Sequence, residues 1–411
     1  MRAPLNIKRL NKLPALRGGR PVRKKLLIFG SPRIEKEEIE EVVSTLKSGW
    51  ISTGPKVKLF ENMFKKYIGS KYALALNSCT AGLHLSMLVI GIKKNDEVVT
   101  TPLTFGSTAN SIIHAGGKPV FVDVDRTTMN INPEMIKNYI TKKTRAIIPV
   151  HLAGRPCEMN SIIHLAKKYK LYIIGDAAHA IEAKYNGKKI GNIGDLTVFS
   201  FYVTKNLVTG EGGMVTTNRS NWARQIQIYG LHGMSKGAWH RYSDKGFKHY
   251  YITCPGFKYN MMDIQASLGI HQLKRINKYL SRREEIWRKY DEVFSDMSII
   301  LPTPVPKNMT HARHLYTILL DLEKLKVGRD TIQQALYKEN IGTGIHFLSL
   351  HLHPYYRKTF GYKWGDFPNA EFISERTISL PLSAKLTNQD VDDVIRAVRK
   401  VLKFFSKKTI F

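Results

Sequence analysis

The sequence predicts an α/β protein: a large unit on a mostly parallel seven-stranded sheet flanked by helices, then a smaller C-terminal α+β unit. Two observations carry this. From about residue 26 to residue 269, short apolar runs alternate with amphipathic stretches, as in successive βαβ units. After Pro302 and Pro304 the alternation gives way to a shorter mixed pattern. The seven candidate strands are residues 72–77, 96–101, 119–123, 146–152, 171–175, 196–201 and 214–217. Helices are expected between them at 36–46, 81–89, 107–115, 159–169 and 221–228. A long helix follows through 262–294, with Ile264, Leu268, Leu273, Ile276 and Leu280 marking an apolar face. The remainder reads as a strand at 314–322, a helix at 330–339, a strand near 341–347 and an acidic-then-basic closing helix at 388–405. The chain thus divides into a basic N-terminal arm (1–25), a large unit (26–275), and a linking helix with the small unit (276–411).

Composition narrows the function classes. With 43% hydrophobic and 10% aromatic residues among 411, the chain is globular, and no apolar run is long enough to span a bilayer. Residues 1–25 are basic but carry no continuous apolar segment, so the reading is a soluble, cytoplasmic protein with no membrane association. Cys79, Cys157 and Cys254 form neither a CxxC pair nor a zinc-like cluster, so no metal is expected. The outlier is charge: 64 Lys+Arg against 33 Asp+Glu, a formal net +31. Such a field attracts anions. The basic residues are scattered, with mild excesses at 1–25 and 403–408, and no nucleic-acid motif accompanies them.

Ligands of open parallel sheets sit beyond the carboxyl ends of the strands, so the polar residues falling there matter most. After the first strand comes Ser78-Cys79-Thr80-Ala81-Gly82, hydroxyls at a helix start. That is an anion seat or an ordinary N-cap. After the second comes Phe105, a cover for a flat heterocycle or a core ring. After the fifth comes Asp176-Ala-Ala-His179, whose carboxylate serves a cationic ring nitrogen or caps a helix. The sixth delivers Ser200 and then Lys205, ahead of a glycine turn. A lysine with a depressed pKa is a nucleophile able to form a Schiff base with an aldehyde. Anion seat, stacking ring, carboxylate and Schiff-base lysine together describe a pyridoxal 5'-phosphate site.

The runs Gly175-Asp-Ala-Ala-His-Ala180, Gly191-Asn-Ile-Gly-Asp195 and Phe199-Ser-Phe-Tyr-Val-Thr-Lys-Asn-Leu-Val-Thr-Gly-Glu-Gly-Gly213 resemble the DegT/DnrJ/EryC1/StrS family of sugar aminotransferases. So do Ser48-Gly-Trp-Ile-Ser-Thr-Gly-Pro55, Asn77-Ser-Cys-Thr-Ala81, Pro119-Val-Phe-Val-Asp-Val-Asp125, Leu231-His-Gly-Met234, Gly256-Phe-Lys-Tyr-Asn-Met-Met-Asp-Ile-Gln-Ala266 and Ser379-Leu-Pro381. The resemblance runs from Gly18 to the closing helix.

It implies a fold-type-I pyridoxal phosphate-dependent transferase, a homodimer with shared active sites. Lys205 would bear the cofactor, Asp176 pair with its ring nitrogen, Phe105 stack on the ring and His179 contact the phenolic oxygen. Cys79, Thr80 and Ser200 would hold the phosphate, helped by Lys258 of the partner subunit. Relatives carry Gly where this chain has Cys79, and Asn and Arg where it has Lys258 and Asn260. The implied reaction moves an amino group from an amino acid, glutamate by family habit, to a keto group of a nucleotide-linked deoxy sugar. His346, His353 and Asn260 are candidate substrate contacts. Three alternatives stand beside it: a sugar deoxygenase or dehydratase, a keto-cyclitol aminotransferase, and a basic regulatory or nucleic-acid-binding protein on the same fold.

Overall fold

The computed structural model describes residues 12–235 and 250–407. Residues 1–11 of the arm and Lys408 of the basic tail lie outside them. The seven expected strands all form: β1 (Tyr72–Leu76), β2 (Glu97–Thr100), β3 (Lys118–Phe121), β4 (Thr144–Ile147), β5 (Tyr172–Asp176), β6 (Leu196–Ser200) and β7 (Gly213–Thr217). They lie in the order β1-β7-β6-β5-β4-β2-β3, with β7 antiparallel to both neighbours and the other pairs parallel. Doubly wound order brings the ends of β1, β5 and β6 to one edge although some 120 residues separate them in sequence, a crossover geometry that helices must cover on both faces.

Helices α1 (Lys36–Ser48), α2 (Pro55–Ile68), α3 (Cys79–Val89), α4 (Gly106–His114), α5 (Met159–Tyr169) and α6 (Ser220–Gly230) flank this sheet. The apolar pattern does not foretell α2. Its start is organised by a distant residue: the Asp263 carboxylate accepts the Gly54, Lys56 and Val57 amides at 2.7, 3.0 and 2.9 Å. A carboxylate at a helix N-terminus satisfies orphan donors and the dipole together. A Cβ at Gly54 would meet Asp263 Oδ2 at 2.6 Å, so only glycine fits. Phe60 and Phe64 of α2 then pack edge-on against Phe199 and Phe201, one buried aromatic cluster beneath β6.

Helix α7 (Asp263–Phe294) runs through residue 275, the expected division between the units. Its first half gives Ala266, Ile270, Leu273 and Ile276 to the large core, and its second gives Ile286, Trp287, Tyr290 and Phe294 to another. The buried face is rotated from the expected one, because Ile264, Leu268 and Leu280 are only half-buried while small Ala266 is buried and Gly269 sits against Phe60. The second core lies on a three-stranded antiparallel sheet, β8 (Ile299–Ile300), β9 (Tyr316–Leu320) and β10 (Thr377–Leu380), with α8 (Arg329–Lys338); α9 (Pro354–Phe360) and α10 (Pro368–Arg376) pack with Leu103 and Phe121 in a separate cluster, and α11 (Asn388–Phe405) returns to the second core.

One expectation is corrected here. No strand forms at 341–347: Gly344 makes an isolated bridge to Ser379 and Ile341 one to Leu27, and the chain between passes so close to Leu27 that a Cβ at Gly342 would meet its carbonyl at 2.8 Å. The described part of the arm is also docked. Buried Glu339 accepts the Ala15 and Val22 amides at 2.7 and 2.8 Å and pairs with Lys400 at 3.0 Å. Among the described residues no helix is long and apolar enough to cross a membrane.

Candidate active site

At the shared edge lies a cavity of about 640 Å³, walled by Ser78–Thr80, Phe105, Asp176, His179, Ser200 and Lys205, and closed on the far side by residues 345–347. Each wall is set by backbone. Ser78 caps α3, its hydroxyl accepting the Ala81 amide at 3.0 Å, which leaves the Cys79 and Thr80 end of the helix facing the cavity. Gly213 of β7 lies directly beneath. A Cβ there would stand 2.5 Å from the Ser78 carbonyl carbon and 2.6 Å from the Cys79 nitrogen, so this helix start can approach the sheet only over glycine.

Asp176 ends β5 and is buried. Thr108 donates its hydroxyl to Oδ2 at 2.8 Å and the Ala178 amide donates to Oδ1 at 3.1 Å. Burial nevertheless pushes the carboxyl up, with these bonds and Lys205 opposing. A buried carboxylate so placed calls for a cation. Lys205 follows the turn after β6, its amide bonded to the Tyr202 carbonyl at 2.8 Å. Burial holds its amine down, against the pull of Cys79 and Asp176. The Cys79 thiol is pushed up by burial and by Asp176, so it stays protonated.

Around the lysine stand neutral imidazoles. His179 accepts the Ala153 amide on Nδ1 at 3.2 Å, which places its proton on Nε2. Burial, then Lys205, His314 and His346, drives its pKa well below the usual range. His314, at 4.5 Å from the His179 ring centroid, is lowered likewise by burial and Lys205. His346 bonds Ser379 Oγ at 2.9 Å and is lowered to about 4, by burial first and then by Lys205. Phe347 lies roughly parallel to His179 at 6.2 Å and tilted to Phe105 at 6.3 Å.

Of the residues singled out in the sequence, the cavity gathers Lys205, Asp176, His179, Phe105, Cys79, Thr80, Ser200 and His346. Three lie elsewhere. Lys258 is exposed and outside the cavity of its own chain, bridged to Leu231. Asn260 borders a second cavity of about 520 Å³ beside α2 and α6, where its amide bonds Thr53 and its Oδ1 has no partner among the described residues. His353 caps α9 and faces its own Leu348 carbonyl at 3.3 Å. Sequence reasoning misses Thr108 and His314. Thr104 and Thr108, four apart and bonded at 2.8 Å, are the available signal for the first. Nothing local marks His314, whose partners come from other elements.

These features fit pyridoxal phosphate: the glycine-floored helix start matches an anion, and the buried carboxylate with spare acceptor capacity matches a protonated ring nitrogen. Fold and site define a pyridoxal phosphate-dependent aminotransferase of fold type I. The DegT/DnrJ/EryC1/StrS aminotransferase family model matches residues 32–399, and the chain belongs to that family. It is 55% identical to the uncharacterised protein MJ1066 of Methanocaldococcus jannaschii over 93% of this chain and 99% of that one. It is 49% identical to the spore coat polysaccharide biosynthesis protein SpsC of Bacillus subtilis, over 93% of this chain and 98% of that one. Among solved structures, the PLP-form of the putative sugar aminotransferase Spr1654 from Streptococcus pneumoniae superposes with a TM-score of 0.86 at 34% identity, covering 92% and 99% of the two chains. An aminotransferase takes the place of the regulatory, nucleic-acid-binding alternative.

Proposed function

We propose that this enzyme transfers an amino group from glutamate to a keto group of a nucleotide-linked deoxy sugar. The observation that carries it is the pairing of Lys205 with buried, Thr108-anchored Asp176 across a cavity whose remaining walls are an anion seat and an aromatic face. The names of SpsC and Spr1654 support a sugar as acceptor.

In this reading Asp176 would hold a proton on the ring nitrogen of the cofactor and Phe105 would cover the ring. The Cys79 and Thr80 amides with the Ser200 hydroxyl would seat the phosphate, and His179 Nε2–H would donate to the phenolic oxygen. Bound there, pyridoxal phosphate supplies an electron sink and carries the amino group between the two half-reactions. The chain's own work is proton handling. Lys205 Nζ, whose proton affinity burial lowers, takes the proton from the donor's α-carbon in one half-reaction and delivers one to the sugar carbon in the other. His346 and Phe347 close the acceptor side and exclude water. Lys258 of the partner subunit completes the phosphate seat in a cytoplasmic homodimer, and the +31 field favours the diphosphate of a nucleotide sugar.

The test is product identification by mass spectrometry with a panel of nucleotide-linked keto sugars and keto-inositols, offered with glutamate or glutamine. Amine appearing only on a nucleotide-linked sugar supports the reading; turnover of the cyclitol alone, or loss of a hydroxyl without gain of nitrogen, overturns it.

A further inference from the structure

A line of buried polar side chains runs from the cavity into the protein and takes no part in the chemistry above. His314 Nδ1 faces Asn206 Oδ1 at 2.9 Å. The orientation of Asn206 is fixed, because its Nδ2 donates to Glu182 Oε2 and to the Ala312 carbonyl, both at 2.9 Å. His314 therefore carries its proton on Nδ1, the opposite tautomer to its neighbour His179. Glu182 is in turn ion-paired with Arg283 of α7, and both are almost wholly buried, 1% and 2% exposed. Arg283 Nε has no partner among the described residues, and Arg283 shares a chamber of about 30 Å³ with Thr204 and Lys205. The pair thus borders the lysine's chamber directly and is linked through Asn206 to His314 on the cavity side.

A buried ion pair is weak evidence of stabilisation, since desolvation offsets the attraction, so its placement calls for another account. We propose that Glu182 and Arg283 are positioning residues for Lys205: a buried charge pair, coupled through Asn206 and His314, that sets the potential at the lysine nitrogen and fixes the imidazole behind His179. This rests on the reading of Lys205 as the cofactor-bearing lysine.

Other charged and titratable groups face the same nitrogen. On the cavity side these are Cys79 from α3, Asp176 from β5 and His179 from the turn after it, with Glu211 at the rim. His314 comes from the segment before β9 and His346 from the segment between α8 and α9. On the chamber side are Arg33 and Tyr279 beside Arg283. Behind Glu182 stand Tyr67 and Lys189, the latter with its ammonium 3.7 Å from the Tyr67 ring centroid. Substitution within the pair leaves all of these side chains in place, although Tyr67, Lys189 and His314 also feel its charges.

The signs are set by charge. Glu182→Gln leaves the Arg283 cation uncompensated and disfavours a proton on the Lys205 nitrogen. Arg283→Met leaves the Glu182 anion and favours it. In the holoenzyme, the pH midpoint of the cofactor's visible absorbance should move down by about one pH unit in E182Q and up by about one in R283M. The E182Q/R283M double variant should return near the wild-type midpoint. Should R283M not fold, Arg283→Gln removes the same positive charge while its amide can still donate to Glu182, and its midpoint should also rise. Midpoints that stay put, or move together while the melting temperatures fall, would make the pair purely structural and overturn the proposal. A wild-type protein without cofactor absorbance would instead overturn the reading of Lys205, which separates the two failures.

Discussion

The two ends of the cavity are built differently. The cofactor end draws on β1, β5 and β6, each delivering its polar residues within a few positions of its last strand residue: Ser78 to Thr80, Asp176 to His179, Ser200 to Lys205. The acceptor end draws on residues 345–347, a segment without regular structure held by an isolated bridge to β10 and by contact with Phe29. At one end, strand geometry fixes side chains that are contiguous in sequence. At the other, the wall exists only once three distant stretches of chain have met. Residues at the first end should govern whether reaction occurs; residues at the second should govern which acceptor is used.

The sharpest way to break this contrast is Lys205→Ala. It should abolish the visible absorbance and lower kcat by roughly 10⁴-fold or more, checked by spectrophotometry and steady-state assay. Asp176→Asn, which keeps the shape but not the charge, should cost about 10²- to 10³-fold in kcat with the fold intact by circular dichroism. Gly213→Ala should push the helix start off the sheet and weaken cofactor binding, by about 1–3 kcal/mol if it behaves like other overpacked sites. Equilibrium dialysis of the cofactor measures it. From the acceptor end, His346→Asn should raise KM for the sugar severalfold with kcat little changed; an equal fall in kcat would erase the distinction.

The same histidine predicts a pH effect. Its pKa is about 4 in the folded protein against an ordinary value of 6.5, so the unfolded chain binds the extra proton between those values. Stability should therefore decline as pH falls through 6.5 and stop responding to His346 below 4, a loss on the order of 3 kcal/mol that H346N should partly remove in chemical denaturation of the apoprotein.

The cofactor end is legible in the sequence because its polar residues sit directly after strands. The order β1-β7-β6-β5-β4-β2-β3 converts strand ends into neighbours, so the residues just past each strand make up nearly the whole wall. Thr108 escapes because its role depends on α4 leaning over β5, and His314 because its ring is defined by Asn206, 108 residues away. Asn260 reads as a substrate contact from its motif, yet the motif's backbone pairs it with Leu76 and turns it toward Thr53. The absent strand at 341–347 shows the limit of periodicity. An apolar run predicts extended backbone, but a ladder needs a partner in register, and Gly342 and Gly344 crowd against Leu27 and Phe29 instead.

The clamp on the arm has a temporal consequence. Ala15 and Val22 dock on Glu339, and 324 residues separate the first pair. At ribosomal speeds of about 5–20 residues per second, the beginning of the chain waits roughly 15–65 s before its binding site has been made. During that interval its backbone donors have only water or a chaperone to turn to. Shortening the arm would leave Glu339 a buried carboxylate with Lys400 as its one remaining described partner.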